Sequence, residues 1–314
     1  MEFICKKCGS GQQIVGLQPS NSLSNHDISS KQDIEFYNSY LAGIIEGDGC
    51  IITPKTERSS KNKKNYPAIE ITFALSELPL ADKIKQTLGH GSISRVKKKK
   101  AYKITVNNFT GIVLLANCIN GRMRTPKIKA LDILIDWLNK SMCENCRIEK
   151  KPLNKEDLLS NAWLSGFIEA DGSFHVRADL SSKYQKIECK FELTQSLNDK
   201  HAQSKKYFME NIAELLESSV KLVRRYRKSP AYRIRTVNQK GNSILCSYLE
   251  QYPLFSSKYL DFKDWSQAFR VFKKWERKTP EKIKQIIDLK SGMNTQRTFW
   301  NWDHLKNFYT RDKI

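Results

Sequence analysis

The sequence predicts an α+β protein of two pseudo-symmetric αββαββα lobes, which form a saddle of two antiparallel sheets and pack through the two motif helices that open them. Three observations predict this. An apolar segment studded with small residues occurs twice, as Leu41–Gly49 and Leu164–Gly172, each ending in acid-x-Asp-Gly. Later landmarks recur in the same order, and helical and alternating patterns follow one another identically around them. Ile71-Thr72-Phe73-Ala74-Leu75 answers Lys190-Phe191-Glu192-Leu193-Thr194, with Phe73 matching Phe191. Ala101-Tyr102-Lys103-Ile104 answers Ala231-Tyr232-Arg233-Ile234, and Thr125-Pro126-Lys127 answers Ser256-Ser257-Lys258. The separation starts at 123 between the two Asp residues (171 − 48) and drifts to 131 at the lysines (258 − 127), as loop insertions in a duplicated domain would leave it.

Taken in order, each half opens with a motif helix (about 36–47 and 156–170) that runs into a strand. A second strand follows at 66–76 and 186–195, then a helix at 79–88 and 201–217. Two more strands come at 91–97 with 101–107, and at 219–227 with 231–238. Closing helices occupy 109–119 with 126–140, and 239–250 with 256–276. Polar residues, Lys150-Lys151 and Pro152 interrupt the pattern between the halves. The expected organisation is a leader at 1–32, a first lobe at 33–142, a linker at 143–154, a second lobe at 155–290 and a tail at 291–314. Pro280 starts another short helix ahead of the aromatic, basic tail.

Within the two motifs, Gly43 and Gly47 lie four apart, as do Gly166 and Ala170. On a helix each pair shares a face. A face without side chains lets two backbones approach more closely than ordinary ridge-and-groove packing allows, which repays the poor helix propensity of Gly. Asp48 and Asp171 then sit side by side at two helix C-termini. There the dipoles already carry negative charge, and the carboxylates repel each other. A divalent cation removes the conflict. Oxygen ligands suit Mg²⁺ or Mn²⁺, and such ions can activate water and stabilise a leaving oxygen in phosphodiester hydrolysis.

These segments resemble the LAGLIDADG motif of homing endonucleases in its single-chain, two-motif form. The first copy departs from the pattern by Ile44, Glu46 and Gly47, the second by Ser165, Phe167 and Glu169. Both keep Asp before the final Gly. The resemblance spans roughly residues 35 to 290. It implies a metal-dependent endonuclease that straddles a long asymmetric duplex and cuts both strands across the minor groove, leaving short 3′ overhangs. It also implies Asp48 and Asp171 as metal-binding residues, with the adjoining Gly47 and Ala170 counted in the metal set. Basic residues precede the last helix of each lobe, and Lys127 and Lys258 occupy those places, to position water or offset charge on the phosphorane. A Gln at the end of the second strand is matched by Gln195, while Glu77 takes the corresponding place in the first half, so the two cutting sites are unequal. Glu46 and Glu169 are read as structural. The same fold also serves intron RNA maturases, and a DNA-binding regulator on the same scaffold is a further alternative.

The composition agrees. A formal charge of +21 over 314 residues attracts polyanions, nucleic acid first among them. No apolar run is long enough for a transmembrane helix, so no membrane partner is expected. Lys, Asn and Ile are frequent, a bias that an AT-rich organellar genome (mitochondrial or chloroplast) would produce. The fused lobes make a monomer the expected state. The expected partners are a double-stranded DNA target and, in the maturase reading, host intron RNA.

Strand alternation after the second motif puts Phe174, Val176, Ala178 and Leu180 on one face and Ser173, His175, Arg177 and Asp179 on the other. The polar face suits base edges in a major groove. Lys103, Thr105 and Asn107 alternate in the same way in the first half, beside Ser94 and Arg95. In the second half Arg233 and Arg235 do so, next to Lys190 and the Arg224, Arg225 and Arg227 strand. Lys55 and the Lys97-Lys98-Lys99-Lys100 hairpin turn are assigned to the DNA surface, the Lys run to phosphates. Finally, Cys5-x-x-Cys8 and Cys143-x-x-Cys146 can together build a structural Zn²⁺ site, although their separation is far longer than in a zinc ribbon. The alternative is plain thiols in a reducing compartment.

Overall fold

A computed structural model describes residues 25–179, 186–223, 229–236, 238–273 and 279–309, without the side chains of 25–30, Asp179 and Lys186. Cys5, Cys8, Leu180, Arg224, Arg225 and Arg227 lie outside the described residues. The first half comprises α1 (Asn25–Asp48), β1 (Gly49–Ile52), β2 (Ala68–Ala74), α2 (Leu78–Leu88), β3 (Ser92–Arg95), β4 (Ala101–Val106), α3 (Phe109–Ile119) and α4 (Ile128–Asn139). The second repeats it as α5 (Trp163–Asp171), β5 (Gly172–Asp179), β6 (Lys186–Ser196), α6 (Lys206–Leu215), β7 (Lys221–Val223), β8 (Ala231–Arg235), α7 (Gln239–Gln251) and α8 (Lys258–Lys273). An added helix, α9 (Pro280–Ser291), follows.

Each half carries one antiparallel four-stranded sheet, in the order β1-β2-β4-β3 and β5-β6-β8-β7. Phe174 pairs with Phe191 across β5 and β6, and Ile71 with Ile104 across β2 and β4. These apolar pairs face the helices, so alternate residues of β2, β5 and β6 are buried and their neighbours line the opposite face. Local signals set the helix ends. Gly89 closes α2 in the left-handed region (φ +68), and Thr279 accepts from the Lys282 amide to open α9 beside Pro280.

Two helix starts differ from the expectation. Helix α1 begins at Asn25, because the polar stretch ahead of the motif carries no apolar periodicity to announce it. Helix α5 begins only at Trp163. Asp157 caps a separate 3₁₀ turn at Leu158–Ser160, and Asn161 Oδ1 takes the Trp163 amide at 3.0 Å, restarting the chain as a new helix.

Helices α1 and α5 cross with their backbones nearly touching. A Cβ on Gly43 would lie 2.1 Å from the Trp163 carbonyl oxygen, and one on Gly166 1.9 Å from that of Tyr40. The tail continues this interface. Phe308 is fully buried against Tyr37, Tyr40 and Phe255, and the His304 ring nitrogen meets the Phe255 carbonyl at 2.9 Å. Arg297 binds Asp261 at 2.9 Å and Asp264 at 2.6 Å, which ties the same segment to α8. The residues after α9 therefore strap the second lobe to the first helix of the first.

Candidate active site and nucleic-acid face

The close crossing brings the last turns of α1 and α5 together. A Cβ on Gly47 would lie 2.2 Å from the Ala170 Cβ and 3.0 Å from Asp171 Oδ2, so the second carboxylate leans across the first helix end. Asp48 is open to solvent on one side, while protein packs behind it. Burial, then repulsion from Asp171, pushes its pKa up to about 6. Burial also raises Asp171, opposed by the Gln195 amide and the nearby lysines.

The two lysines do not point freely into this centre. Lys127 Nζ donates to the carbonyls of Ile45 (2.8 Å), Gly47 (3.4 Å) and Gly49 (2.8 Å). Lys258 Nζ donates to those of Ile168 (3.2 Å), Glu169 (2.6 Å) and Ala170 (2.9 Å). Each ammonium thus caps the C-terminus of its lobe's motif helix, where carbonyls lack intrahelical partners. Burial pulls Lys127 down to about 8, and lowers Lys258 too.

The preceding acids are structural in a specific way. Glu46 accepts from the amides of Arg124 and Thr125, from Thr125 Oγ1, and from Trp163 Nε1 of the other lobe at 2.5 Å. Glu169 accepts from the amides of Phe255 and Ser256, and from the Tyr40 hydroxyl of the first lobe at 2.9 Å. Tyr40 and Trp163 are separated by the same 123 positions (163 − 40) as the two acids (169 − 46). The lobes therefore exchange one buried aromatic donor each.

Gln195 and Glu77 diverge. Gln195 Nε2 donates to Asp171 Oδ2 at 2.6 Å, and Lys205 Nζ donates to Gln195 Oε1 at 2.9 Å. Glu77 is turned instead to the second lobe, accepting from the Ser257 amide at 3.0 Å and from its hydroxyl. Among the described residues no side chain hydrogen-bonds to Asp48, and the expected equivalence of Glu77 with Gln195 does not hold. Phe73 stands opposite Tyr102 as Gln195 stands opposite Tyr232, so Phe73 is the first-lobe counterpart of Gln195 and Phe191 answers Ile69 rather than Phe73. Lys205 escaped sequence reasoning because it lies in a loop without a first-half equivalent.

The polar sheet faces take shape as their alternation implies. Ser173, His175 and Arg177 pair across β5 and β6 with Glu192, Lys190 and Glu188, and Arg235 and Arg233 continue the same surface on β8. Acids not anticipated as part of this surface are interleaved. Lys103 binds Glu70 at 2.7 Å, Lys190 binds Glu188 at 2.7 Å, and Glu192 receives Arg235 at 2.5 Å with Arg233 at 3.6 Å. Ser94, Arg95 and Lys55 are exposed, and Lys97–Lys100 form an exposed turn closed by Val96 N to Ala101 O at 2.9 Å. Thr105 is half-buried on its strand, while Asn107 falls just past the end of β4 and is exposed. Cys143 is exposed and Cys146 half-buried between the lobes. Among the described residues no three His, Cys, Asp or Glu side chains gather as a metal cluster, and no helix is long and apolar enough to cross a membrane.

A pair of carboxylates at the shared ends of two crossed helices, flanked by two antiparallel sheets with polar, partly basic faces, defines a single-chain pseudo-dimer with one central site. The chain belongs to the LAGLIDADG endonuclease family, whose model matches residues 41–138 and 164–269. It is 29% identical over 322 residues to the intron-encoded DNA endonuclease aI3 of Saccharomyces cerevisiae, covering 93% of this chain and 77% of that protein. It is also 29% identical over 189 residues to the intron-encoded RNA maturase bI4 of the same yeast, covering 59% of this chain and 26% of that protein. The fold matches the LAGLIDADG homing endonuclease I-GzeII, solved in complex with its DNA target, with a TM-score of 0.61 at 18% identity over 83% of this chain and 99% of that one.

Proposed function

We propose that this protein is a site-specific, divalent-metal-dependent DNA endonuclease that hydrolyses both strands of a long asymmetric duplex and leaves short 3′ overhangs. The observation that carries this reading is the Asp48–Asp171 pair. Burial raises the pKa values of both carboxylates, helped at Asp48 by repulsion from Asp171, and Lys127 and Lys258 direct their protons at helix carbonyls. That leaves negative charge under-compensated in an oxygen-donor site, which fits Mg²⁺ or Mn²⁺. Asp48 and Asp171 would hold the cations, with Gly47 and Ala170 adjoining them. When bound, the metal supplies Lewis-acid stabilisation of phosphate charge and a more acidic water. Lys127 and Lys258 fix the helix ends that carry the carboxylates and add positive potential near the phosphate. Gln195 orients Asp171. The sheet faces would lie along the duplex, with Lys55 and Lys97–Lys100 on phosphates and Ser94, Arg95, Lys103, Thr105, Asn107, Ser173, His175, Arg177, Lys190, Arg233 and Arg235 towards the grooves.

Two unlike lobes in one chain remove the need for a palindromic target. The intron-encoded relatives and the Lys-, Asn- and Ile-rich composition support an organellar intron as the coding locus, with one chain as the working unit. The deciding experiment incubates purified protein and Mg²⁺ with a host-organelle or randomised DNA library and sequences new double-strand ends. Ends clustered at one long site, and absent with the Asp48→Asn/Asp171→Asn variant, are the expected result. Well-folded protein giving no specific ends refutes it. The likeness to a maturase favours a second reading, binding and folding of host intron RNA. In that case splicing activity survives the double Asn substitution.

A further inference from the structure

Between β6 and α6 the second lobe carries a loop, Leu197–Lys205, that the first lobe lacks; there Leu75–Glu77 turn directly into α2. The loop folds back on itself. Asp199 Oδ1 accepts from the amides of His201 and Gln203, both at 2.8 Å, the Asp199 amide donates to the Gln203 carbonyl at 2.9 Å, and the Lys205 amide returns to the Leu197 carbonyl at 2.8 Å. At its tip Lys200 Nζ reaches Cys50 Sγ of the first lobe at 3.5 Å, two residues beyond Asp48. At its base Lys205 Nζ donates to Gln195 Oε1 at 2.9 Å. The loop thus spans from one half-site to the other.

The Lys205 contact has a chemical consequence. An amide side chain can present either its oxygen or its nitrogen to a neighbour, and the surroundings decide which. An ammonium offers only donors, so only the oxygen of Gln195 can face it as acceptor. The amide nitrogen is then forced towards Asp171, where it donates to Oδ2 at 2.6 Å. Asp171 is held in one orientation, with its other oxygen left for a cation. Asp48 has no such support among the described residues, because the strand register puts Phe73, which has no side-chain hydrogen-bonding group, in the place of Gln195, while Glu77 is bound to Ser257.

Resting on the endonuclease reading above, we propose that Lys205 is a positioning residue that orients Gln195 on Asp171, and that this one-sided arrangement makes the two strand cuts unequal. The half-site organised by Asp171 cuts first, and the cut governed by Asp48 follows.

The test is strand-resolved, single-turnover cleavage of the selected target with Mg²⁺, each strand carrying its own label. Failure of the wild type to cut any site overturns the endonuclease reading, and this inference with it. With an active wild type, one strand is expected to be cut faster. Lys205→Met should slow that strand by about 10–100-fold, the usual effect of losing a residue that orients a metal ligand, while slowing the other within about threefold. Lys205→Arg, which keeps the donor-only contact, should restore the inequality. Gln195→Leu should mimic Lys205→Met, and the double variant should be no slower than either single one, as expected of groups acting in series. Thermal melting and metal-free DNA affinity report on folding and binding separately. Equal slowing of both strands overturns the inference. So does an additive double variant, which would place Lys205 on a DNA phosphate in its own right.

Discussion

Gly166→Ala tests the helix crossing on which the whole centre depends. The new Cβ would lie 1.9 Å from the Tyr40 carbonyl oxygen, a backbone atom that cannot rotate aside. Ordinary contact begins near 3.4 Å, so the helices must part by about 1.5 Å or bend to that extent. Ala gains about 1 kcal/mol of helix propensity over Gly. Overpacking at a rigid contact costs about 1–3 kcal/mol and more where backbone must move. Because backbone must move here, the upper part of that range applies, about 2–3 kcal/mol. The net loss is then about 1–2 kcal/mol, or roughly 1.5–3 °C in Tm at about 2.1 cal/mol/K per residue over 314 residues. Cleavage should suffer more than stability, since Asp48 and Asp171 sit at the ends of the separated helices. A misplacement of about 1 Å can cost roughly 100-fold in rate. The assays are calorimetric melting and cleavage of the selected site. Gly292→Ala is the control, because its Cβ would meet nothing nearer than 3.7 Å, so its Tm and rate should stay at wild type. A Gly166→Ala protein that melts at or above wild type and cuts at the wild-type rate would refute the close-approach argument.

Three further predictions follow the same logic. Trp163→Phe removes the Nε1 donor at 2.5 Å from buried Glu46 and should cost about 1–3 kcal/mol in chemical denaturation; a neutral result would mean that the cross-lobe bond contributes nothing. In metal-free protein the native state holds a proton on Asp48 up to about pH 6, against an ordinary value of 3.8, so this group's contribution to stability falls as pH rises from about 4 to 6. Asp48→Asn should therefore flatten the Tm–pH curve in that window under EDTA, and Mg²⁺ should raise wild-type Tm more at pH 7 than at pH 5; parallel curves for the two proteins would contradict the assignment. Replacing Lys97–Lys100 with Ala should weaken specific and non-specific duplex binding by the same factor, and lower the salt slope by about one for each phosphate that the turn no longer neutralises; a change confined to the specific site would make the turn a base reader.

What was legible in the sequence was local or repeated. The motif pair placed Asp48 and Asp171, and the small residues marked the crossing, because both depend on spacing within a few residues. Alternation in β5 separated Phe174 and Val176 from Ser173, His175 and Arg177 for the same reason. What escaped depends on contacts across the fold. Glu77 and Gln195 look equivalent along the sequence, yet one faces Ser257 and the other Asp171, since the strand register puts Phe73, not Glu77, in the place of Gln195 and only the second lobe has Lys205 beside that position. The acids of the sheet faces carry no local signal, because their pairing with cations runs between strands rather than along one. Glu192 meets Arg235 only through the β6–β8 register. The Tyr40 and Trp163 exchange had a usable signal, two bulky aromatics at the same offset as the motifs, but nothing local says that each reaches the opposite lobe.

The placement of Lys127 and Lys258 bears on how the centre could accept the proposed cation. A helix that ends on an Asp stacks a side-chain carboxylate on a carbonyl-rich terminus, and two such ends side by side double the problem. Each lysine relieves part of it by donating to the last carbonyls of its own motif helix. Because those protons are directed at backbone oxygens, Lys127 and Lys258 stabilise the helix ends without neutralising the carboxylates through direct hydrogen bonds. The result is a pair of Asp residues on fixed helix ends, their carboxylates still attractive to a divalent ion. Had either lysine paired directly with Asp48 or Asp171, as in an ordinary buried ion pair, the charge would be satisfied internally and a metal would have to displace it. The same backbone contacts place positive potential beside the position a phosphate would take, so one residue in each lobe serves both the integrity of the helix end and the chemistry proposed there.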